Sequence, residues 1–555
     1  MFDKWKARFT AAKQNKNNKQ NQDNNKTLIE DESDYIEQND FEGQHVFTKE
    51  DVNNEAADDI ENKKPYAKAQ DDAISENLMD NLIKLRQEFG QSADLTIREF
   101  TVGKFKAAVI TIEGMVNKLM VGENILKPLN QFNTDGLDIN ESFKFIRDNI
   151  FAATEQDQLS VMTEVMSLIM SGFAVLMFDG IPAAIAVGVQ GFSFRGISEP
   201  LSESVLRGSR EGFVEAVRIN VSMIRRRIKS PKLRFESYFI GEQSKTNVYL
   251  CYMDGAVAPQ VLKSIRDKLK TINMDSVIES GYIQPFFEQK PLSLFSTVGT
   301  TERPDTVCGK VMEGRVAVLV DGTPFALIIP HLFVENFQTI DDYTSRPYYA
   351  TLIRILKYIS FFASIFLPGI YVAIGTFHQE MLPDNLLYNI AKAEMNTPLT
   401  LLEEALLIHL VFEIVKEAGL RLPKPIGQAV SIVGGLVLGD TAVSSGFIGA
   451  PMVIIVALSA ITGFVIPKLN EPIVAIRFIS IIAGGYMGIF GVMVIMSMMW
   501  CNICAMNSNG IIYTTPVSPF GKTFWQDVAA RIGWKSLGKR NLVIQKLPGS
   551  EISED

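Results

Sequence analysis

The residues best placed for chemistry lie between positions 426 and 446 (IGQAVSIVGGLVLGDTAVSSG). Wound as a helix, this stretch gathers Gln428, Ser431, Gly434, Gly435, Gly439, Thr441, Ala442, Ser445 and Gly446 on one small or polar face. Such a face supports two kinds of chemistry. Gly435 and Gly439 form a G-x-x-x-G, as do Gly484 and Gly488 further on, and small faces let helix backbones approach closely in lipid. Alternatively, Gln428, Ser431 and Ser445 line a hydrated path between identical helices around a symmetry axis. The residues alone leave both readings open. Asp440 falls on the opposite, apolar side, and Arg477 lies inside the last apolar run. A lone charge there is expensive, so the expectation is an intramembrane pair between Asp440 and Arg477, either structural or part of a gate.

Enzyme signatures fail in turn. Gly521-Lys522-Thr523 lacks the earlier glycine of a phosphate loop, and neither a G-x-S-x-G elbow nor an H-E-x-x-H occurs. The four histidines, His45, His331, His378 and His409, are scattered. Cys501 and Cys504 have C-x-x-C spacing without a second pair, which fits packed, reduced thiols better than zinc. The reading is therefore a non-enzyme with no catalytic, cofactor-binding or metal-binding residues.

Positioning those residues falls to a chain of two unlike halves. From Leu352 to about Cys504 the sequence is a series of long apolar segments, with candidate spans at 352–377, 427–445, 448–466 and 473–499. The segment 398–419 carries Glu403, Glu404, His409, Glu413, Lys416 and Glu417. All but Glu404 share one side of a helix, which suits an in-plane connector or the wall of a wet cavity in a bundle. Before position 350 the chain is charged and loop-punctuated. Ala107–Val116 and Val248–Val257 share a strand, acidic-turn, helix-start pattern. Ala174–Val187 and Ala317–Ile329 are hairpins turned at Asp179-Gly180 and Asp321-Gly322. Glu113 and Asp179 are 66 positions apart, Asp254 and Asp321 67, so the two patterns recur at one spacing. That is an internal duplication.

The fold class expected is thus an α/β soluble region of two related subdomains followed by an all-α multi-span transmembrane domain. Its parts are a disordered, then acidic, tail at 1–75, subdomains at 76–205 and 206–350, the helical domain at 351–505 and a basic tail at 506–555. The basic tail and the absence of a signal-peptide core point to cytoplasmic termini and an even number of crossings. A net charge of −9 argues against nucleic acid, and four cysteines in 555 residues against a disulfide framework. In the soluble half, Arg207–Lys229 reads as a basic helix whose Arg225–Arg227 cluster faces solvent, lipid headgroups or an acidic partner. The charges of Thr301–Asp305 and Glu313–Arg315 read as structural pairs.

These last stretches carry a resemblance. RGSREGFVEAVRINVSMIRRRIK (207–229), TERPD (301–305), EGRVAVLVDGTPFALIIP (313–330) and LPKPIGQAVSIVGGLVLGDTAVSSG (422–446) closely resemble the A subunits of the spore germinant receptors, the GerA family, from about residue 80 to Phe520. The resemblance implies a multi-pass protein of the spore inner membrane with a cytoplasmic N-terminal region. It implies partnership with a germinant-binding B subunit, a lipoprotein C subunit and copies of itself. It also implies a germinant-gated ion path, the alternative being a non-conducting membrane scaffold for the B subunit. It supplies no catalytic residue to carry over.

Overall fold

The structure is a computed structural model that describes residues 72–132, 134, 138–150, 156–191, 200, 202–203, 205–288, 290, 293–395, 397–423, 439–519 and 527–537. The tail expected over 1–75 lies outside them except for its last residues, which already belong to the fold: Ile74 is buried and Ala73 bridges Val161.

Subdomain 1 runs α1 (Leu78–Glu88), β1 (Leu95–Val102), β2 (Phe105–Ile112), β3 (Gln156–Leu159), α2 (Met162–Ile169), β4 (Phe173–Phe178) and β5 (Ala184–Gly188). Subdomain 2 runs α3 (Val217–Arg227), β6 (Leu233–Ile240), β7 (Thr246–Met253), α4 (Pro259–Thr271), α5 (Ser280–Phe287), β8 (Gly299–Thr301), α6 (Pro304–Met312), β9 (Val316–Val320) and β10 (Ala326–Ile329). The strand orders are β1-β2-β4-β5-β3 and β6-β7-β9-β10-β8, the same topology twice. Every neighbouring pair is antiparallel, so these are not the parallel sheets that strand–helix alternation usually signals. Helices cover both faces of each sheet, with the helical turns of Lys118–Gln131 and Ile139–Ile150 on the second face in subdomain 1, because β4, β5, β9 and β10 are apolar on both sides.

The repeat extends to single hydrogen bonds. In each unit the aspartate of the Asp-Gly turn caps the first helix: Asp179 Oδ1 accepts from Leu78 N at 3.1 Å, and Asp321 Oδ1 from Val217 N at 3.0 Å. Gly180 and Gly322 turn with φ of +90° and +94°, and their N–H groups donate to Glu76 O and Glu215 O. Asn81 and Asn220 each clamp the loop before their own helix, through Ser75 and Val214. Turn and helix are therefore one locally coded unit, used twice.

A buried ion pair joins the subdomains. Arg225, fully buried on α3, meets Asp94 of subdomain 1 at 2.8 and 3.0 Å and also donates to Ser92 Oγ, Ser230 O and Leu233 O. Arg226 and Arg227 pair with Glu211. This overturns the reading of Arg225–Arg227 as a surface patch, because the cluster is consumed internally. The segment 207–216 ahead of α3 is not helical. Arg303–Asp305 and Arg315–Glu313 are ion pairs, as expected.

The helical part comprises α7 (Pro347–Phe377), α8 (Asp384–Glu394), α9 (Leu401–Arg421), α10 (Gly439–Ser444), α11 (Ala450–Phe464) and α12 (Asn470–Cys504). Contacts give their directions. Alpha7 leaves the α/β region, where Arg354 binds Asp342, and ends at His378 beside Gly488. Alpha9 starts where Leu401 and Leu402 pack on Gly375 and Gly485, and returns to place Lys416 on Asn470. The segment 398–419 is thus a limb of the helical bundle. Alpha11 likewise returns, from Glu404 at its start to Arg477 beside Gly463.

Alpha12 is not one straight helix, in contrast to the single span expected over 473–499. Arg477 reaches Ser364 while Trp500 packs against Phe362, two residues away on α7. A straight helix would hold positions 477 and 500 roughly 34 Å apart at 1.5 Å per residue. The chain instead reverses at Gly488, whose φ of 62° and ψ of −151° break the helix. Two limbs of roughly 27 and 24 Å result, 470–487 and 489–504. Gly488 is therefore a turn residue and not half of a packing motif. Gly484 does serve close approach, because a Cβ there would stand 2.4 Å from Gly369 O.

Two substitutions test these junctions. Asp94→Ala strands the buried Arg225 guanidinium and should cost about 3–5 kcal/mol in denaturant unfolding; a loss under about 1 kcal/mol is the contrary result. Gly488→Ala should cost about 1–3 kcal/mol, because only glycine holds that backbone region comfortably, with a matching fall in the melting temperature of the detergent-extracted protein.

Candidate functional site

The helical part is apolar outside and polar along one internal row. At the end far from the α/β region, Glu404 is fully buried, and both its carboxylate oxygens accept from Gly449 N at 3.3 and 3.4 Å. Glu394 points its Oε1 at the same glycine, 3.1 Å from where a Cβ would sit, against 3.7 Å for Glu404 Oε2. Glu394 Oε1 and Tyr371 Oη are buried without hydrogen-bond partners among the described residues. Two carboxylates thus flank one glycine, and that position must stay small.

The middle of the row is His409, fully buried. Its Nδ1 is 2.8 Å from Ala405 O, which can only accept, so Nδ1 carries the proton and Nε2 faces Ser459 Oγ at 3.3 Å. Nearer the α/β region, Arg477 donates from Nε to Ser364 O at 2.7 Å and from Nη1 to Glu413 Oε1 at 3.3 Å. Lys416 joins the same carboxylate from the next turn. Ser480, also fully buried, has no partner for its hydroxyl among the described residues. The arrangement sets ionisable and polar groups inside an apolar envelope, where an unpaired one is costly.

The residues singled out from sequence fare unequally. Gln428, Ser431, Gly434 and Gly435 lie outside the described residues. Gly439 and Asp440 open α10, and Ser445, just after it, donates to Ala442 O; Asp440 and Ser445 are exposed. Asp440 is not the partner of Arg477. It precedes α11, whose first residues meet Glu404, whereas Arg477 sits at that helix's other end, roughly 20 Å further along. Glu413 takes its place. Sequence reasoning listed the acids of α9 without assigning them, and it missed Glu394, Tyr371 and Ser459. The available signal was charge matching: a buried arginine needs an acid, and α9 holds the surplus. Glu404, set apart from α9's polar side by the helical wheel, is the most deeply buried of those acids. Cys501 and Cys504 are free and exposed at the end of α12.

Burial pushes the Glu394 carboxyl up to about 7, with Glu404 adding to the effect. Its neutral form is thereby favoured, so its contribution to stability is full below the ordinary 4.5 and is lost as pH rises through about 7. The groups facing it are Glu404 of α9 and Tyr371 of α7. Glu394→Gln should flatten the fall in melting temperature between pH 5 and 8 relative to the parent; parallel curves would show that this carboxyl is ordinarily ionised.

Comparison with known proteins adds the following. The family described as Bacillus/Clostridium GerA spore germination protein matches residues 83–543. Spore germination protein KA of Bacillus subtilis (strain 168) is 40% identical over 478 residues, covering 85% of this chain and 88% of that protein. Uncharacterized membrane protein YfkQ of the same organism is 38% identical over 474 residues, covering 85% and 92%. The crystal structure of the N-terminal domain of the A subunit of the Bacillus megaterium spore germinant receptor GerK3 is 34% identical. It matches 47% of this chain and 97% of that one with a TM-score of 0.39.

Proposed function

This chain belongs to the GerA family of spore germination proteins, and on that premise we propose that it is the A subunit of a spore germinant receptor. It converts nutrient binding on a B subunit into germination, with a C subunit completing the complex. The α/β region lies in the cytoplasm and the helical part crosses the spore inner membrane. Two helices, Pro347–Phe377 and Pro467–Cys504, are long and apolar enough to cross, and the second does so as a hairpin. Arg421 and Lys468 lie at the α/β end of the bundle, which fits basic loops on the cytoplasmic side.

The observation that carries the reading is the polar row from Glu404 through His409 to Arg477 and Glu413. Charges inside a membrane bundle are costly and mark ion or proton pathways. Copies of the chain associate through the small-residue stretch, with Gln428, Ser431, Gly434, Gly435, Gly439, Asp440 and Ser445 at or near the axis. Germinant binding shifts a two-state equilibrium toward an arrangement that passes ions.

Vesicles containing the protein with its B and C partners, read with a membrane-potential dye, test this. Nutrient should trigger ion flux, and Glu404→Gln should change that flux at least tenfold, toward silence or toward a constant leak. Parent vesicles that stay tight with partners and nutrient present would replace the ion path with a non-conducting scaffold.

A further inference from the structure

The C-terminal stretch after α12, read from sequence as a basic tail, packs back on the rest of the chain at two places. Residues 507–512 form a small hairpin whose Asn509 receives hydrogen bonds from Ser264 and Lys268 of α4. Further on, residues 527–534 return to the base of α7, and there they complete a buried ionic cluster.

Asp527 is the hub. Its carboxylate takes Arg354 Nη1 at 3.0 Å and the Tyr343 hydroxyl at 2.9 Å, while its carbonyl accepts from Gln338 Nε2 at 2.9 Å. Arg354, fully buried on the second turn of α7, also holds Asp342 at 2.9 Å. Lys357 shares Asp342 at 3.3 Å. Arg531, 3% exposed, donates to Tyr343 O at 3.0 Å, lies against the rings of both Tyr343 and Trp534, and donates its backbone N–H to Thr351 Oγ1. Trp534 Nε1 closes the ring on Tyr343 O at 2.9 Å.

Three features suit this contact to opening. It is polar, so its groups find partners in water when it parts, unlike an apolar core. It is incompletely satisfied: Arg354 Nη2 and Arg531 Nε are buried with no hydrogen-bond partner among the described residues. It is rimmed by solvent, with Trp534 59% exposed. Three cations, Arg354, Lys357 and Arg531, gather here, and the carboxylates paired with Arg354 and Lys357 among the described residues are Asp342 and Asp527. Withdrawing Asp527 therefore leaves Arg354 and Lys357 competing for one acid. From this base α7 runs the length of the bundle, against Ser480 and Gly484 at Gly369, to His378 at the Gly488 turn. A shift at its base is delivered to both limbs of the hairpin.

We propose that residues 527–534 are a latch that holds the base of α7 against subdomain 2, and that the latch must release before the helical part rearranges. The receptor reading enters only through the spore readout. Thr351→Cys with Arg531→Cys places two thiols where the backbone N–H of Arg531 meets Thr351 Oγ1 at 3.0 Å. Oxidation of that pair should abolish the nutrient response at least tenfold, with recovery on reduction, while each single variant responds to oxidant as the parent does. Trp534→Ala, and Asp527→Asn where it accumulates normally, should germinate at several-fold lower nutrient or spontaneously. An oxidised pair that responds like its reduced form overturns the proposal. Hydrogen exchange on the purified full chain is independent of any receptor role. Trp534→Ala should raise exchange at 343–357 at least fivefold, and unchanged rates there also overturn the latch. A parent strain without a nutrient response would count against the receptor reading alone and leave the exchange result standing.

Discussion

A charge removed from water must find an opposite charge, and this constraint decides how the chain is assembled. Leaving one member of a buried pair alone costs about 3–5 kcal/mol, a large share of the stability of any domain. The buried pairs sit at the joints between parts. Arg225–Asp94 joins the two subdomains, Arg354 with Asp342 and Asp527 joins the α/β region to the helices and the C-terminal stretch, and Arg477–Glu413 joins two limbs of the bundle. Apart from Arg354–Asp342, 12 positions apart, these pairs link residues distant in sequence. Apolar burial sets how much surface is hidden, but many alternative packings hide similar amounts. A guanidinium needs one site, so these pairs select the arrangement.

Glu335 shows the same logic in subdomain 2. Burial opposes its ionisation, yet Arg315, Lys310 and His331 outweigh that and hold the carboxyl well below its ordinary range. It lies where β10 gives way to the turn before α7, beside Phe333 and Phe337, whose rings pack on Phe361 of α7. Subdomain 2 is thus tied to the helices by an ionic cluster, an aromatic cluster and the Lys468–Glu203 pair. A duplicated unit has acquired a second task at one of its copies. The local code of turn, cap and clamp is unchanged between copies, and what differs is the set of charged residues at the rim.

Local features were legible in the sequence. Asp179-Gly180 and Asp321-Gly322 marked both hairpins because an Asp-Gly turn is encoded by two residues and the apolar runs beside them. The duplication followed from their spacing. The edge strand opening each sheet and the first helix of subdomain 1 escaped notice, since LTIREFTV and LRFESYFI alternate polar and apolar residues without a strong turn between neighbours. Antiparallel order was not readable, because strand order is set by contacts across the sheet. In the helical part, composition announced apolar segments but not their partners. Arg225–Arg227 looked like a solvated face because a charge run carries no mark of the acid that will cover it.

Gly488 illustrates the same boundary between local and tertiary information. In an apolar run, a glycine four residues after another reads as a packing notch, and Gly484 is one. Gly488 has the same neighbours in sequence but a positive φ, which an isolated helix has no reason to adopt. The reason is tertiary. His378 ends α7 at that level, and a Cβ on Gly488 would stand 2.7 Å from its Cε1, so the ring occupies the space a side chain would need. Once α7 ends there, a straight continuation of α12 would carry Trp500 and Ile503 away from the aromatic cluster around Phe333. Reversal returns them to it and seats Asn502 against Ser293 at 2.9 Å. The length of α7 thereby sets where α12 must turn, and the turn returns the end of the chain to subdomain 2, within reach of the base of α7.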